Sequence, residues 1–362
     1  MKRALICILV IMIPLIFTMT LDAQQSKKKV FIVHSYDPEN VCGRPQDMGA
    51  VAMFKKLGFR EGQDIEFHRF YMDTKRKYIT PEAMRMRGHE AISAIRIVQP
   101  DIVMVLDDNA AKYVMLPLAK SEYPIVFSGM NRPIEEYDKE VDVMISRTHP
   151  GYNITGVLET VHLIASFKLL KEIKPNVKKI LVITDTTPTG KGVCAILNSH
   201  MQKNPEFPLE IETRIAKTFA DYKKYVREAN MRDDLHAIFP NVSGLNKNHG
   251  GRAVLPEIIT WTVKNSKKPE IGMTYFLVEF GFLCGVTVDF PALGGQTAVK
   301  AARILSGEDP GHIPIEDAIR FAIALNLARA DQLNMKIPFR ILGAADRVYK
   351  TMKLYPSYRI GK

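Results

Sequence analysis

The residues of this chain that are most able to do chemistry are polar side chains that directly follow apolar runs rich in Val and Ile. Such runs are typical of strands in a parallel sheet, and ligands bind beyond the carboxyl ends of these strands. The ligand-binding residues predicted in this way are Ser35, Tyr36, Asp107, Asp108, Asn109, Ser128, Gly129, Asn131, Thr184, Asp185, Thr186, Thr187, Asn241, Tyr275, Glu279 and Asp289.

The acidic triplet Asp107-Asp108-Asn109 follows the run DIVMVL at 101–106. A carboxylate at a strand end can pair with an ammonium group of a ligand. The same residue types are also preferred N-caps for a helix that starts at Ala110. Both roles need the same position, so the sequence leaves the two interpretations open.

A second group, Thr184 to Thr187, follows the run KILVIT at 179–184. Hydroxyls and the free amides of a helix start bind carboxylates well. We therefore expect a zwitterion to place its ammonium on the acidic pair Asp107-Asp108 and its carboxylate here. Gly129 allows a close backbone approach to a ligand, or alternatively forms a turn ahead of Pro133. Tyr275 can provide a stacking wall, whereas Phe276 suits the core equally well.

The chain lacks the signatures of common enzymes. It has neither a G-x-S-x-G elbow nor an H-E-x-x-H motif, and its nine histidines show no metal-ligand spacing. The string TGKG at 189–192 lacks the upstream Gly and the following Ser or Thr of a phosphate-binding loop. We therefore predict a protein that is not an enzyme, with no catalytic residue, metal or cofactor.

The first residues predict export. Positively charged Lys2 and Arg3 precede an apolar run from Ala4 to Phe17, and Leu21-Asp22-Ala23 offers a cleavage site. The run suits a signal peptide better than a membrane span. We predict a signal peptide at 1–23, cleaved near Ala23, and a periplasmic protein. The alternative is an uncleaved N-terminal anchor.

The distribution of charge indicates which partners the protein can bind, and the cysteine content indicates whether it forms disulfides. The net charge is +11, but the basic residues are scattered, with small clusters at 27–29 and 73–77. This pattern favours a solvated surface and no nucleic acid partner. Cys42, Cys194 and Cys284 do not form a disulfide framework. One bridge and three buried thiols both remain open, and the thiols are favoured.

Strands and amphipathic helices alternate in two consecutive series, which predicts an α/β protein with two doubly wound parallel-sheet lobes. A helix is expected over 156–171, at the start of the second series. The chain then returns to the first lobe, so that a multi-crossing hinge spans a cleft between the lobes. The predicted boundaries are 28–147 plus 285–308 for the N-terminal lobe, 157–278 plus 315–342 for the C-terminal lobe, and 343–362 for a C-terminal tail.

Six stretches resemble, in order, conserved segments of one known family. They are GFREGQDIEF (58–67), QPDIVMVLDDNAAKYVM (99–115), YPIVFSGMNRP (123–133), NITGVLE (153–159), GVTVDFPALGGQTAVKAARILSGEDPGHIPIE (285–316) and FAIALNLARADQLNMKIP (321–338). The family is that of ABC transporter substrate-binding proteins of the amino-acid and tryptophan type.

This resemblance implies a type I periplasmic-binding-protein fold and a membrane permease of an ABC importer as partner. A monomer that closes around a small-molecule ligand, an amino acid or analogue, is expected. The opening loop 34–39 looks more like relatives that stand beside sensor kinases, so a ligand sensor that signals to a membrane kinase or chemoreceptor is the alternative. An exported enzyme of the same architecture is a third hypothesis, for which the sequence offers no nucleophile and base pair.

Overall fold

The computed structural model describes residues 27–354 except 160, 204–206, 208, 243 and 249; the side chains of 188, 189, 191, 192 and 203 are also left undescribed. The predicted leader and its cleavage site lie outside the described residues. None of the helices within the described part of the chain has the length and apolar content that a bilayer crossing requires.

The first lobe is built on a fully parallel six-stranded sheet with helices on both faces. Its first strands and helices are β1 (Lys28–His34), α1 (Gly43–Lys56), β2 (Ile65–Tyr71), α2 (Pro81–Val98), β3 (Ile102–Leu106), α3 (Asp107–Ala110), β4 (Ile125–Ser128), α4 (Ile134–Asp138) and β5 (Ile154–Leu158). A π-helical turn and a 3₁₀ turn, Ala111–Met115 and Leu116–Leu118, continue α3.

Local sequence signals set these elements as predicted. Helix α2 begins after Thr80, whose hydroxyl accepts a 3.2 Å hydrogen bond from the amide of Ala83, and Pro81 occupies the first helical position. It ends at Gln99, which is left-handed with φ of 48° and precedes Pro100. Strand β3 is buried at every position, as expected for a strand covered on both faces.

The second lobe repeats this organisation. Its elements are α5 (Leu163–Ile173), β6 (Lys179–Thr184), α6 (Pro188–Lys203), β7 (Glu210–Ile215), α7 (Phe219–Met231), β8 (Ala237–Asn241), β9 (Gly244–Asn246), β10 (Arg252–Val254), α8 (Leu255–Asn265), α9 (Tyr275–Phe280) and β11 (Cys284–Val288). Strands β7, β6 and β8 pair in parallel. Parallel bridges from Ile238 to Glu270 and from Ile271 to Cys284 continue the sheet to β11.

The remaining chain crosses between the lobes. Its elements are α10 (Phe290–Leu305), β12 (Glu316–Asp317), β13 (Phe321–Asn326), α11 (Leu327–Gln332), α12 (Phe339–Ala344) and β14 (Arg347–Tyr349). Strand β12 pairs with β5, which completes the first sheet in the order β12-β5-β4-β3-β1-β2. Strand β13 pairs with β11 and β14 in the second lobe.

Helix α10 packs on α1 at backbone distance. A Cβ on Gly49 would lie 2.0 Å from the carbonyl oxygen of Pro291, and one on Gly294 would lie 1.9 Å from that of Gln46. Only glycine fits at either position, so the two helices are in direct contact. This packing fixes the first turns of α1, which carry polar residues of the candidate site.

Three sequence-based assignments need correction. Residues 154–158 form β5 rather than part of a helix over 156–171, because Gly156 lies against Phe127 of β4. Strand β11, placed with the N-terminal lobe at 285–308, pairs instead with β13 of the second lobe, and only α10 packs on the first. The predicted tail at 343–362 contains β14, which extends the second sheet.

Candidate functional site

Hydrogen bonds of Ser35 join the carboxyl ends of the strands in the first lobe. Its hydroxyl donates to the carbonyl of Leu106 over 2.7 Å and accepts from the amide of Ala110 over 2.7 Å. Its carbonyl accepts from the hydroxyl of Thr74 over 2.6 Å, and Thr74 accepts from the side-chain amide of Asn109 over 2.8 Å. Ser35 and Asn109, both predicted ligand contacts, therefore align β1, β2 and β3.

Asp108 is held by the loop that follows β4. Its carboxylate accepts hydrogen bonds from the amides of Asn131 and Arg132, both over 3.1 Å, and from the hydroxyl of Tyr137 over 3.0 Å. Burial and then the Asp108 charge raise the pKa of Tyr137 well above its usual value. Asp108 thus fixes the loop that carries Asn131, a role that neither sequence interpretation included.

Asp107 has a different environment although it is the next residue along the chain. It has a left-handed φ of 69° and is 3% exposed. Its Oδ1 faces Gly129, also left-handed with φ of 72°, where a Cβ would lie 3.0 Å from Oδ1 and 2.7 Å from Nε2 of Gln46. Its Oδ2 has no hydrogen-bond partner among the described residues. A buried carboxyl oxygen in this state is available to a ligand.

The electrostatic environment of Asp107 disfavours its charge. Burial raises the pKa of its carboxyl to about 7; Lys75 lowers it, the neighbouring charge of Asp108 raises it, and the Gln46 amide lowers it. The hydroxyl of Ser128 donates to Oε1 of Gln46 over 2.7 Å and orients this amide. Asp107 is therefore a group that a ligand cation would convert to its ionised form.

A network of paired charges lies behind Asp107. Arg69 donates two hydrogen bonds to Asp47, of 2.7 and 2.9 Å, and Nε2 of His34 donates to Asp47 over 3.0 Å. Burial opposes ionisation of Asp47, but these hydrogen bonds prevail and lower its pKa to about 2. Nδ1 of His34 has no partner among the described residues and faces Gly43. The network supports α1 where it contacts the site.

Glu159 is another acidic group at the strand ends of the first lobe, and it directly follows β5. Burial raises the pKa of its carboxyl well above the usual value, Asp107 and Asp108 raise it further, and Lys75 lowers it. The phenol of Tyr36 is buried beside the same carboxyls, and burial followed by their charge raises its pKa too. Asp107, Glu159, Tyr36 and Lys75 therefore share one electrostatic environment.

In the second lobe, the predicted hydroxyl-rich group forms its own contacts. The side-chain amide of Asn241 donates to the hydroxyl of Thr184 over 3.3 Å. Asp185 accepts from the amide of Thr187 over 2.9 Å and from its hydroxyl, while Thr186 is exposed. The amide of Gly190 donates to the Thr187 hydroxyl over 3.2 Å, within the first turn of α6. Ser243, in the loop that follows Asn241, is not among the described residues.

The remaining predicted contacts lie around α9 and α10. Tyr275 starts α9, with its ring 6.1 Å from that of Phe290 and the guanidinium of Arg347 4.4 Å above it; burial raises its pKa to about 12. Glu279 lies 3.4 Å from the ammonium of Lys353. Asp289 caps α10, since its side chain accepts from the amide of Ala292 over 3.1 Å.

The loop after β1 connects the two lobes. Val41 and Cys42 pack against an apolar cluster of the second lobe that includes Phe276 and Phe280. Phe276 is therefore a core residue, as one of the two interpretations proposed. Cys42 also packs beside Tyr275 at a second cluster around Phe290. Cys42, Cys194 and Cys284 are free thiols as favoured, but only Cys284 is buried, whereas Cys42 and Cys194 are half-buried.

Comparison with known proteins identifies the family. The profile described as ABC transporter substrate binding protein matches residues 83–349, about three quarters of the chain. The chain belongs to this family. The family consists of binding proteins, in agreement with the prediction that the chain is not an enzyme.

The individual relatives have low sequence identity to this chain. A tyrosine-binding protein of Clostridioides difficile (strain R20291) is 21% identical over 219 residues, which cover 60% of this chain and only 59% of that relative. The solved ABC domain from Streptococcus pneumonia in complex with L-Trp has a TM-score of 0.67 at 18% identity, covering 89% of this chain and 100% of the other. A ligand-free, open substrate-binding protein with adhesive properties from Clostridium difficile has a TM-score of 0.69 at 18% identity, covering 90% and 100%. The type I periplasmic-binding-protein fold predicted from the sequence is confirmed.

Within this substrate-binding protein, sequence reasoning found part of the site and missed the rest. Asp107, Tyr36, Ser128 and Gly129 come together at the strand ends of the first lobe. Glu159 was missed because residues 156–171 were interpreted as a helix, although it follows β5 as Asp107 follows β3. Lys75 was assigned to a solvated surface, and it is exposed. Gln46 carried no signal because it lies 82 positions before Ser128 in the sequence, and only the fold brings the two side chains together.

Proposed function

We propose that this substrate-binding protein is the exported component of an ABC importer and captures a small, amine-bearing organic ligand of the amino-acid type between its lobes. The observation that carries the proposal is Asp107, a buried carboxyl at the strand ends with one unpartnered oxygen. Burial of an unpaired carboxylate is costly unless a cation arrives. The L-Trp and tyrosine bound by the two relatives named above both carry an ammonium group and fit this requirement.

The hinge supports capture by closure. The described chain passes between the lobes after Leu158, between Val288 and Phe290, and between Asp317 and Phe321. These crossings lie a few residues beyond those implied by the predicted lobe boundaries, because β5 and β12 belong to the first sheet and β11 belongs to the second lobe. A few residues at element ends can absorb the rotations of hinge closure. Closure would then present the loaded form to a membrane permease.

In this mechanism Asp107 binds the ammonium group and Asp108 positions the loop beneath it. This assignment replaces the acidic pair of Asp107 and Asp108 expected from the sequence, since the carboxylate oxygens of Asp108 already accept four hydrogen bonds. The carboxylate of a zwitterion would face Thr186 and the start of α6 in the second lobe. Tyr275 would contact the body of the ligand, and export would follow from the leader at 1–23.

The test is closure of the secreted protein. The chain is expressed with its own leader in a Gram-negative host, recovered from the periplasmic fraction, and its first residue is determined, which we expect near Gln24. The ligand that co-purifies is identified by mass spectrometry and added back after removal. We expect the radius of gyration in small-angle scattering to decrease on addition. An unchanged scattering profile at saturating ligand would exclude capture by closure.

A further inference from the structure

The three crossings between the lobes meet beside a histidine. His162 lies in the first crossing, immediately before α5, and its ring centroid is 5.0 Å from that of Phe321 at an interplanar angle of 53°. Phe321 ends the third crossing and pairs in the sheet with Val288, after which the second crossing starts. The contact between the rings of His162 and Phe321 therefore joins the first crossing to the other two.

The surroundings of His162 suit a neutral imidazole. Its Nε2 is buried and has no hydrogen-bond partner among the described residues. An imidazolium carries an N–H on both ring nitrogens, so protonation would leave a buried donor without an acceptor. Burial accordingly lowers the pKa of His162 below its usual value of 6.5. The stability that this arrangement contributes is present above the usual pKa and is lost as the pH falls through the lowered one.

Neighbouring charges do not compensate for protonation of His162. The charged side chains next to it on the segments that form the crossings are Glu159, Asp289, Asp317 and Arg320. Asp289 caps α10, and Asp317 lies 3.7 Å from a guanidinium nitrogen of Arg147. Within the described part of the chain, no carboxylate lies within 4 Å of a ring nitrogen of His162, and burial alone accounts for its lowered pKa. A charged ring therefore gains free energy by moving from Phe321 into water.

We propose that His162 restrains the hinge in a pH-dependent way: the neutral ring holds the first crossing against the third, and the protonated ring leaves Phe321 and releases both crossings. The inference concerns the motion of the lobes rather than the ligand contacts. It rests on the proposed function in one respect, which is that the crossings act as a hinge. In an exported protein, the freedom of the lobes to open and close would then depend on the pH outside the inner membrane.

The test is amide hydrogen exchange of the ligand-free protein at about pH 5 and about pH 7.5, on either side of the usual histidine pKa. Mass spectrometry follows peptides over 158–163 and 317–323, and the rates are corrected for the intrinsic effect of pH. The amide of Ala318 donates to the carbonyl of Leu158 over 3.0 Å, so these peptides report on the attachment of the two crossings. We expect about fivefold faster exchange at the lower pH, the smallest effect of a buried donor that lacks an acceptor.

Two variants of the ring contact separate protonation from packing. His162→Phe keeps an aromatic ring against Phe321 but cannot be protonated, so its corrected exchange rates should be the same at both pH values. Phe321→Ala removes the other ring and should give fast exchange at both pH values. Phe321 is 46% exposed, so we expect this variant to fold, and circular dichroism verifies the fold of both.

His89→Phe is the matched control. His89 is an exposed histidine on α2, and the substitution replaces the same residue type by the same ring away from the crossings. It should keep the pH dependence of wild type. This result would assign the effect to His162 rather than to a general loosening of the protein in acid.

The inference would be overturned by equal pH dependence in wild type and His162→Phe, or by slow exchange of both crossings in Phe321→Ala at the lower pH. The measurement needs no ligand, so it is independent of the scattering test. Closure with the co-purified ligand but no pH effect of His162 would retain the binding protein and remove this restraint. A pH effect of His162 without closure would retain the ring contact and refute the hinge on which the inference rests.

Discussion

Two buried carboxyls, one in each lobe, have opposite surroundings. Glu270 in the second lobe is fully buried and faces Arg329, which is also fully buried; Nε of Arg329 donates to Glu270 over 3.0 Å, and a second nitrogen does so as well. The other donors of Arg329 reach the carbonyls of Val263 and Ser266 and the side chain of Gln332. All five guanidinium N–H groups are used. Asp107 in the first lobe has no such partner.

The difference separates structural charge from binding charge. Glu270 belongs to the segment that joins β8 to β11, and its pair with Arg329 attaches that segment to α11. A fully hydrogen-bonded ion pair of this kind fixes the packing of the two segments that it joins, and it leaves no charged group free to bind a ligand. Asp107 is equally shielded from water but keeps an oxygen open at the strand ends. Each prediction below removes one side of this contrast.

The largest effect is expected from Arg329→Met. The substitution leaves Glu270 buried without its cation, and breaking such a pair costs about 3–5 kcal/mol. We expect the free energy of unfolding, measured with urea, to fall by that amount. Adding Glu270→Gln to Arg329→Met should recover part of the loss, because the uncompensated charge is then gone. A loss below about 1 kcal/mol, the size expected for a solvent-exposed ion pair, would mean that the pair of Arg329 and Glu270 contributes little to stability.

Asp107→Asn should have the opposite effect on stability. The pKa of Asp107 is raised from 3.8 to about 7, so the folded protein resists its ionisation. Its contribution to stability is fully present below pH 4 and is lost as the pH rises to about 7. Asn tolerates the left-handed backbone of this position. At pH 8 we expect Asp107→Asn to be more stable than wild type by about 2–4 kcal/mol, and at pH 4 the gain should vanish.

The same variant should bind its ligand more weakly. Loss of the ammonium partner predicts about a 100-fold decrease in affinity for the co-purified ligand, measured by calorimetry at pH 8. Asp108→Asn is the matched control, because it alters the adjacent carboxylate that holds the loop after β4. It should lose stability instead. If Asp107→Asn kept wild-type affinity, the open oxygen would have no role in binding.

The sequence predicts the strands that carry these carboxyls but not the partners that decide the role of each carboxyl. Continuous apolar runs predict buried parallel strands, and so the polar residues at their ends. Asp107 and Asp108 follow the same strand, and no local pattern separates them. Their roles depend on Tyr137, 29 positions away in the chain, and on Gln46, which α1 and α10 bring under the strand ends. Glu159 was missed because residues 156–171 were interpreted as one helix, whereas Gly156 lies inside strand β5.

The smallest effect is expected from Asp289→Ala, at a predicted ligand contact that the structure places at the start of α10. Asp289 accepts a hydrogen bond from the amide of Ala292, and loss of such a cap costs about 1 kcal/mol. Since its carboxylate is already used, it belongs with Glu270 rather than with Asp107. We expect urea unfolding to show this modest loss and calorimetry to show unchanged ligand affinity. A fall of tenfold or more in ligand affinity without a change in stability would contradict this prediction. Asp289 would then be a ligand contact, located in the hinge between β11 and α10.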